Sequence, residues 1–182
     1  MTQRKLIEEH TIKTEKIYEG KIIKVRVETV ELPNKIYAKR EIVSHDRGVG
    51  VVAITEDQEI ILVKQYRKAI NQAIYEIPAG LVDSGENVSE AAERELQEEV
   101  GLKPKNLELI AEAYASPGFT DEKISIFLAT EFEESELELD HTEFLIPVKI
   151  PLTDALDMVE NFEINDAKTV IGILHAARRF KL

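Results

Sequence analysis

The stretch Gly80-Leu-Val-Asp-Ser-Gly85-Glu-Asn-Val-Ser-Glu90-Ala-Ala-Glu-Arg-Glu95-Leu-Gln-Glu-Glu-Val100-Gly-Leu102 decides how this chain is read. Asn87 with Glu90 has the spacing of a capping box, and Gly101 can end a helix in the left-handed region. Between those limits, residues three and four apart share a face, so Glu95, Glu98 and Glu99 project together. Ala92, Leu96 and Val100 form an apolar stripe on another face and can bury against a core. Three carboxylates on one side of a helix repel each other unless a cation sits among them. Hard oxygen ligands on a rigid element suit Mg²⁺ or Mn²⁺, which also take oxygens from a substrate phosphate. A solvated acidic face is the plainer alternative.

The frame decides between them. Gly80 is followed after five residues by Glu86 and after seven more by Arg94-Glu95-Leu96. Glu98-Glu99 and Gly101-Leu102 then follow at one-residue gaps. This spacing resembles the signature of the Nudix hydrolase family, and nine specified positions make the match far more specific than a lone glycine motif. The lead-in Tyr75-Glu76-Ile77-Pro78-Ala79-Gly80, the triplet Gln65-Tyr66-Arg67 and Pro117, sixteen residues beyond Gly101, resemble the ADP-ribose pyrophosphatase branch. The resemblance covers about residues 15 to 178.

Outward from that stretch the chain alternates strands and helices. Lys21 to Val27 places Ile23, Val25 and Val27 on one face, and Leu32-Pro33-Asn34-Lys35 signals a turn into a second strand from Ile36 to Val43. That opening unit is too short to bury a core alone. Val49 to Thr55 and Ile60 to Tyr66 read as a hairpin about Glu56-Asp57-Gln58. Leu107 to Tyr114, Ile124 to Ala129 and Phe144 to Ile150 read as strands. Thr153 to Glu160 reads as a short helix capped by Thr153. Asp166 opens a longer helix with Ala167, Val170, Ile171, Leu174 and Ala177 on one face. The pattern is that of an α/β (α+β) chain, a mixed sheet between helical layers. The resemblance implies the Nudix α/β/α sandwich over residues 43–182, with a small antiparallel sheet over residues 1–42 that serves dimerisation.

Composition narrows the function. The 182 residues carry a net charge of −12, which argues against a general nucleic-acid binder but not against a nucleotide substrate held through metal. No run of eighteen apolar residues suggests a membrane span, MTQRKLIEEH lacks a signal-peptide core, and there is no cysteine. A cytoplasmic protein is expected. The acidic run from Glu131 to Asp140 reads as a solvated loop. His10, His45 and His175 show no metal-ligand spacing.

The resemblance implies roles position by position. The carbonyl of Ala79 and the carboxylates of Glu95, Glu98 and Glu99 hold two or more Mg²⁺ ions, with Mn²⁺ as an alternative. Gly80, Glu86, Arg94 and Gly101 are structural, Glu86 and Arg94 as an ion pair orienting the carboxylate helix. Arg67, Ser116, Gly118 and Glu122 contact the nucleotide sugar, and Arg40 with Glu41 reach from the amino-terminal sheet into the partner subunit of a swapped homodimer. Glu143 takes the proton of the attacking water, with Glu98 supporting; Asp140 and His141 are its rivals. Relatives often stack adenine on an aromatic of the amino-terminal sheet. Here there is no tryptophan, and Tyr18 is the nearest aromatic. Activity on another nucleotide sugar such as GDP-mannose, or a non-catalytic nucleotide-sensing module, are the competing readings.

Overall fold

Three strands open the chain: β1 (His10–Glu19), β2 (Ile23–Glu31) and β3 (Tyr37–His45), an antiparallel sheet in the order β1-β2-β3. The computed structural model describes residues 8–135 and 144–182. The turn after β2 places Lys35 at φ 66°, and its N–H donates to the Leu32 carbonyl at 2.9 Å. β1 was not foreseen: Ile12, Ile17 and Tyr18 do not alternate, and β-bulges between Thr11 and Lys13 and between Lys16 and Tyr18 absorb the irregularity. These strands form one unit with residues 114–122. Within it the Val43 N–H donates to the Phe119 carbonyl at 2.8 Å, and Asp121 accepts from Ser44 Oγ at 2.9 Å and His45 N at 3.0 Å.

The second unit, Arg47–Ala113 with Lys123–Leu182, carries the rest. Its elements are β4 (Gly48–Ile54), β5 (Glu59–Arg67), β6 (Gln72–Glu76), β7 (Ala79–Leu81), α1 (Val88–Val100), β8 (Leu102–Pro104), β9 (Glu108–Tyr114), β10 (Lys123–Ala129), β11 (Phe132–Glu134), β12 (Leu145–Pro151), α2 (Leu152–Glu160) and α3 (Ala167–Phe180). The main sheet runs β12-β5-β4-β10-β9, with β6 on β5 and β7 on β4. β4 and β10 are parallel while β4–β5 and β5–β12 are antiparallel, so the sheet is mixed.

Side-chain alternation sorts the core into two layers. Val49, Val51, Ala53, Ile61, Phe127 and Ala129 pack against Ala91, Ala92 and Leu96 of α1. Val52, Ile54, Ile60, Leu62, Ile126 and Leu128 face the other way, onto Leu152 and Ala155 of α2 and Ile173 and Ala176 of α3. This is the expected α/β/α sandwich.

Three local expectations are corrected. Thr153 does not cap α2: Pro151 stands at the N-cap with no side-chain bond, because the strand β12 runs straight into the helix. The inner face of α3 is Thr169, Gly172, Ile173, Ala176 and Ala177, whereas Ala167 and Leu174 are exposed. A Cβ at Gly172 would overlap Val52, so the close approach of helix to sheet rotates the buried face onto the glycine. The acidic run begins as a strand, since Phe132–Glu134 pair with β8. No helix among the described residues is long and apolar enough to cross a membrane.

Candidate active site

The start of α1 has the full capping box: Asn87 Oδ1 accepts from Ser89 N and Glu90 N at 3.0 Å, and Glu90 returns a bond from Asn87 N at 3.2 Å. Gly101 ends the helix at φ 72°. Register along α1 is therefore fixed at both ends, and with it the direction of every carboxylate.

Arg94 organises that face. Its Nε and Nη2 donate to Glu86 at 3.0 and 3.1 Å, Nη1 donates to Glu95 at 2.7 Å and Glu98 at 3.0 Å, and Nη2 also reaches the Leu81 carbonyl at 2.9 Å. Hydrogen bonding from Arg94 holds the Glu86 carboxyl below its ordinary pKa. The same bonds raise that of Arg94, so the guanidinium stays charged. Glu86 also accepts from Asp83 N at 3.0 Å, tying the loop before the helix to the arginine.

Glu99 behaves differently from its neighbours. It is buried, and its Oε2 accepts from Ala79 N at 3.0 Å. Helix α1 thus holds the strand β7 by its backbone. Gly80 follows, and a Cβ built there would overlap the Glu95 carboxylate. Since Gly80 lies outside the left-handed region, its glycine is required by this close approach and not by its backbone.

Glu99 and Glu95 are brought against β7 at Ala79 and Gly80, and Glu98 is joined to Glu95 through Arg94. Among the described residues no three Asp, Glu, His or Cys side chains stand at metal-holding geometry: Arg94 draws Glu95 and Glu98, and Glu99 turns to Ala79. The donor chemistry still fits a divalent ion. Glu95 and Glu98 already share one cationic nitrogen, all the donors are hard oxygens, and Gly80 leaves room for the Glu95 carboxylate that a Cβ would take away.

Arg67 grips Glu76 through two bonds, Nε to Oε1 at 2.6 Å and Nη2 to Oε2 at 2.8 Å. Burial opposes ionisation of Glu76, but the Arg67 bonds and the Lys168 charge outweigh it, and its carboxyl lies below the ordinary range. The Arg67 side chain is 44% exposed, and Nη1 has no partner among the described residues. One edge of the guanidinium is fixed and the other is presented outward. Sequence reasoning found Arg67 but missed Lys168 and Thr169, which tie Glu76 and Ile77 to α3. A lysine and a threonine in a first helical turn give no signal of their own.

The remaining expected residues lie in the first unit or outside the described residues. Arg40 is paired with Glu9 at 2.6 and 2.9 Å, and Glu41 is an exposed neighbour on β3. Ser116 turns the loop by accepting from Phe119 N and Thr120 N at 3.1 and 3.0 Å. Gly118 has open space around it, and the Glu122 carbonyl accepts from Ala115 N at 3.0 Å. Glu143, Asp140 and His141 lie outside the described residues.

Residues 44–170 match the family described as the NUDIX domain, and residues 9–43 match the nucleoside diphosphate sugar hydrolase N-terminal domain. The chain is 47% identical over 171 residues to an ADP-ribose pyrophosphatase of Bacillus subtilis (strain 168), covering 93% of this chain and 92% of that one. It is 43% identical, at the same coverage, to a protein of Bacillus methanolicus named methanol dehydrogenase activator. A crystal structure of an ADP compounds hydrolase aligns over 98% of this chain and 97% of its own, with a TM-score of 0.88 and 26% identity.

Proposed function

The chain belongs to the Nudix hydrolase family, and on that premise we propose that it cleaves the pyrophosphate of ADP-ribose to AMP and ribose 5-phosphate. The observation that carries the reading is the complete acidic face of α1 about Arg94, with Glu99 bonded to the backbone of Ala79. The lead-in Glu76 to Gly80, Pro117, and the named activity of the B. subtilis relative support the choice of substrate.

The Ala79 carbonyl, Glu95, Glu98 and Glu99 would hold Mg²⁺, or Mn²⁺ in its place, as two or more ions. Bound there, the metal neutralises charge on the pyrophosphate and lowers the pKa of a water. Arg94 holds Glu95 and Glu98 together on one face of α1, Glu86 keeps Arg94 from swinging out, and both carboxylates would turn from Arg94 to take the ion. The outward edge of Arg67 binds phosphate or stacks on adenine. Ser116, Gly118 and Glu122 line the distal ribose and phosphates. Glu143 accepts the proton of the attacking water, whose oxygen joins one phosphorus as the bridging P–O bond breaks.

The protein acts as a homodimer in the cytoplasm, and the amino-terminal sheet of β1, β2 and β3 exchanges between subunits, with Arg40 and Glu41 serving the other subunit's site. Supporting this, no residue of β1 is buried, and Ile12, Ile17 and Tyr18 are each about 60% exposed. A second reading, regulation of another enzyme, is favoured by the name of the B. methanolicus relative.

Hydrolysis of ADP-ribose with Mg²⁺ in ¹⁸O-water, followed by ³¹P NMR, tests the proposal. AMP and ribose 5-phosphate should accumulate, with label on one product phosphate. Release of ADP and free ribose, or no turnover at all, would remove the pyrophosphatase reading.

A further inference from the structure

The segment Glu76–Gly80 is held from two sides, and only one of them belongs to the acidic helix. On the α1 side, Ala79 N donates to Glu99 and Gly80 lies against Glu95. On the α3 side, Ile77 N donates to Thr169 Oγ1 at 2.9 Å, and the Thr169 hydroxyl donates to Asp166 Oδ2 at 2.6 Å. The same Asp166 oxygen caps the helix at Thr169 N, 3.0 Å away, and accepts from Lys168 Nζ at 3.1 Å. Lys168 in turn bonds Glu76, which carries Arg67.

Ile77 and Thr169 are wholly buried, so this N–H has no water to turn to if the hydroxyl is lost. A Cβ at Gly50 would press on Ile77 Cδ1 at 2.8 Å, so the residue is packed closely on the sheet side as well. Ile77 lies in the two-residue link between β6 and β7, with only Pro78 between it and Ala79, so a shift of its backbone passes directly to Ala79. Buried charged networks of this kind add little net stability and serve better to fix geometry.

We infer that the first turn of α3 belongs to the frame of the metal site: Thr169, oriented by Asp166 and Lys168, is a positioning residue that sets the Ala79–Gly80 backbone against Glu99 and Glu95. The inference rests on the proposed metal ligands and adds a residue from an element outside the Nudix signature.

Mn²⁺ titration of the metal-free full-length protein, followed by electron paramagnetic resonance, tests it alongside the melting temperature. Thr169→Val keeps the side-chain shape and removes the acceptor, so Mn²⁺ should bind ~10-fold more weakly, the lower end for loss of a ligand-orienting partner. Thr169→Ser restores the hydroxyl and should return the affinity to within about threefold of wild type. If Thr169→Val does not fold, Thr169→Cys, a weaker acceptor of similar size, replaces it in the comparison. A variant that melts lower yet binds Mn²⁺ as wild type would overturn the inference, as would Thr169→Ser binding as weakly as Thr169→Val. Glu99→Gln is the reference: if it too binds like wild type, the ligand assignment falls first and the inference with it. Weak binding by Glu99→Gln with unchanged Thr169→Val would sink the inference alone.

Discussion

Replacing Gly80 by alanine should separate metal binding from folding. The added methyl would fall where the Glu95 carboxylate now lies, and Glu95 must leave. That movement breaks its 2.7 Å bond with Arg94 and withdraws one hard oxygen donor from the site. Displacing one charged ligand should weaken metal binding by about 10- to 100-fold, the range found when a ligand loses the partner that orients it. Folding should change less, because Arg94 keeps Glu86 and Glu98 when it loses Glu95. Gly80 does not occupy the left-handed region, and the group it displaces is the flexible end of a side chain. A change of 1 kcal/mol moves the melting temperature of a chain this long by about 2–4 °C, so a shift below ~4 °C is expected. Mn²⁺ titration, kcat against Mg²⁺ concentration and a thermal melt together read this out. Gly80→Ala with wild-type metal affinity and wild-type kcat would refute the role given to Glu95. A collapse of the melt with no separate metal effect would show that the glycine serves the fold instead.

Three further outcomes are expected. Glu143→Gln should lower kcat by ~10²–10⁴-fold with little change in KM, the range for loss of a general base; if Asp140→Asn or His141→Ala collapses instead, the base is one of those. Burial would raise the Glu76 carboxyl, but its Arg67 bonds and Lys168 hold it below the ordinary carboxylate range, and the Arg94 bonds do the same for Glu86. A folded-state pKa below the unfolded one stabilises above the unfolded value and loses that contribution as pH falls through the folded one. The melting temperature should therefore fall on acidification below pH ~4.5, and Glu86→Gln should make that acid limb shallower; a limb unchanged in Glu86→Gln would discount the pair. Removing residues 1–42 should abolish both dimerisation, read by light scattering, and ADP-ribose turnover, whereas an active monomer would remove the exchanged-sheet arrangement.

Near-continuous apolar runs at Val49 to Ile54, Ile60 to Val63 and Ile126 to Ala129 made the sheet legible, because each of these strands is packed on both faces. Helix α1 was legible for a different reason: its cap, its stop and its carboxylates are all local in sequence. β1 was hidden because its apolar residues meet no core and follow no period. The buried face of α3 was misread since its inward positions include Thr169 and Gly172, which carry no hydrophobic signal. Thr169 accepts a hydrogen bond from Ile77, 92 residues earlier, and only the fold creates that partner. The grip of Arg67 on Glu76 spans a hairpin and follows from the β5–β6 register, Val63 opposite Glu76, more than from either residue alone.

The most direct test of the central claim is kcat/KM with Mg²⁺ across ADP-ribose, other ADP-sugars and GDP-mannose, measured on one preparation before and after EDTA. ADP-ribose should give the highest value, and chelation should abolish every activity until Mg²⁺ is returned. GDP-mannose turned over far faster than ADP-ribose, or hydrolysis that survives EDTA, would contradict the account.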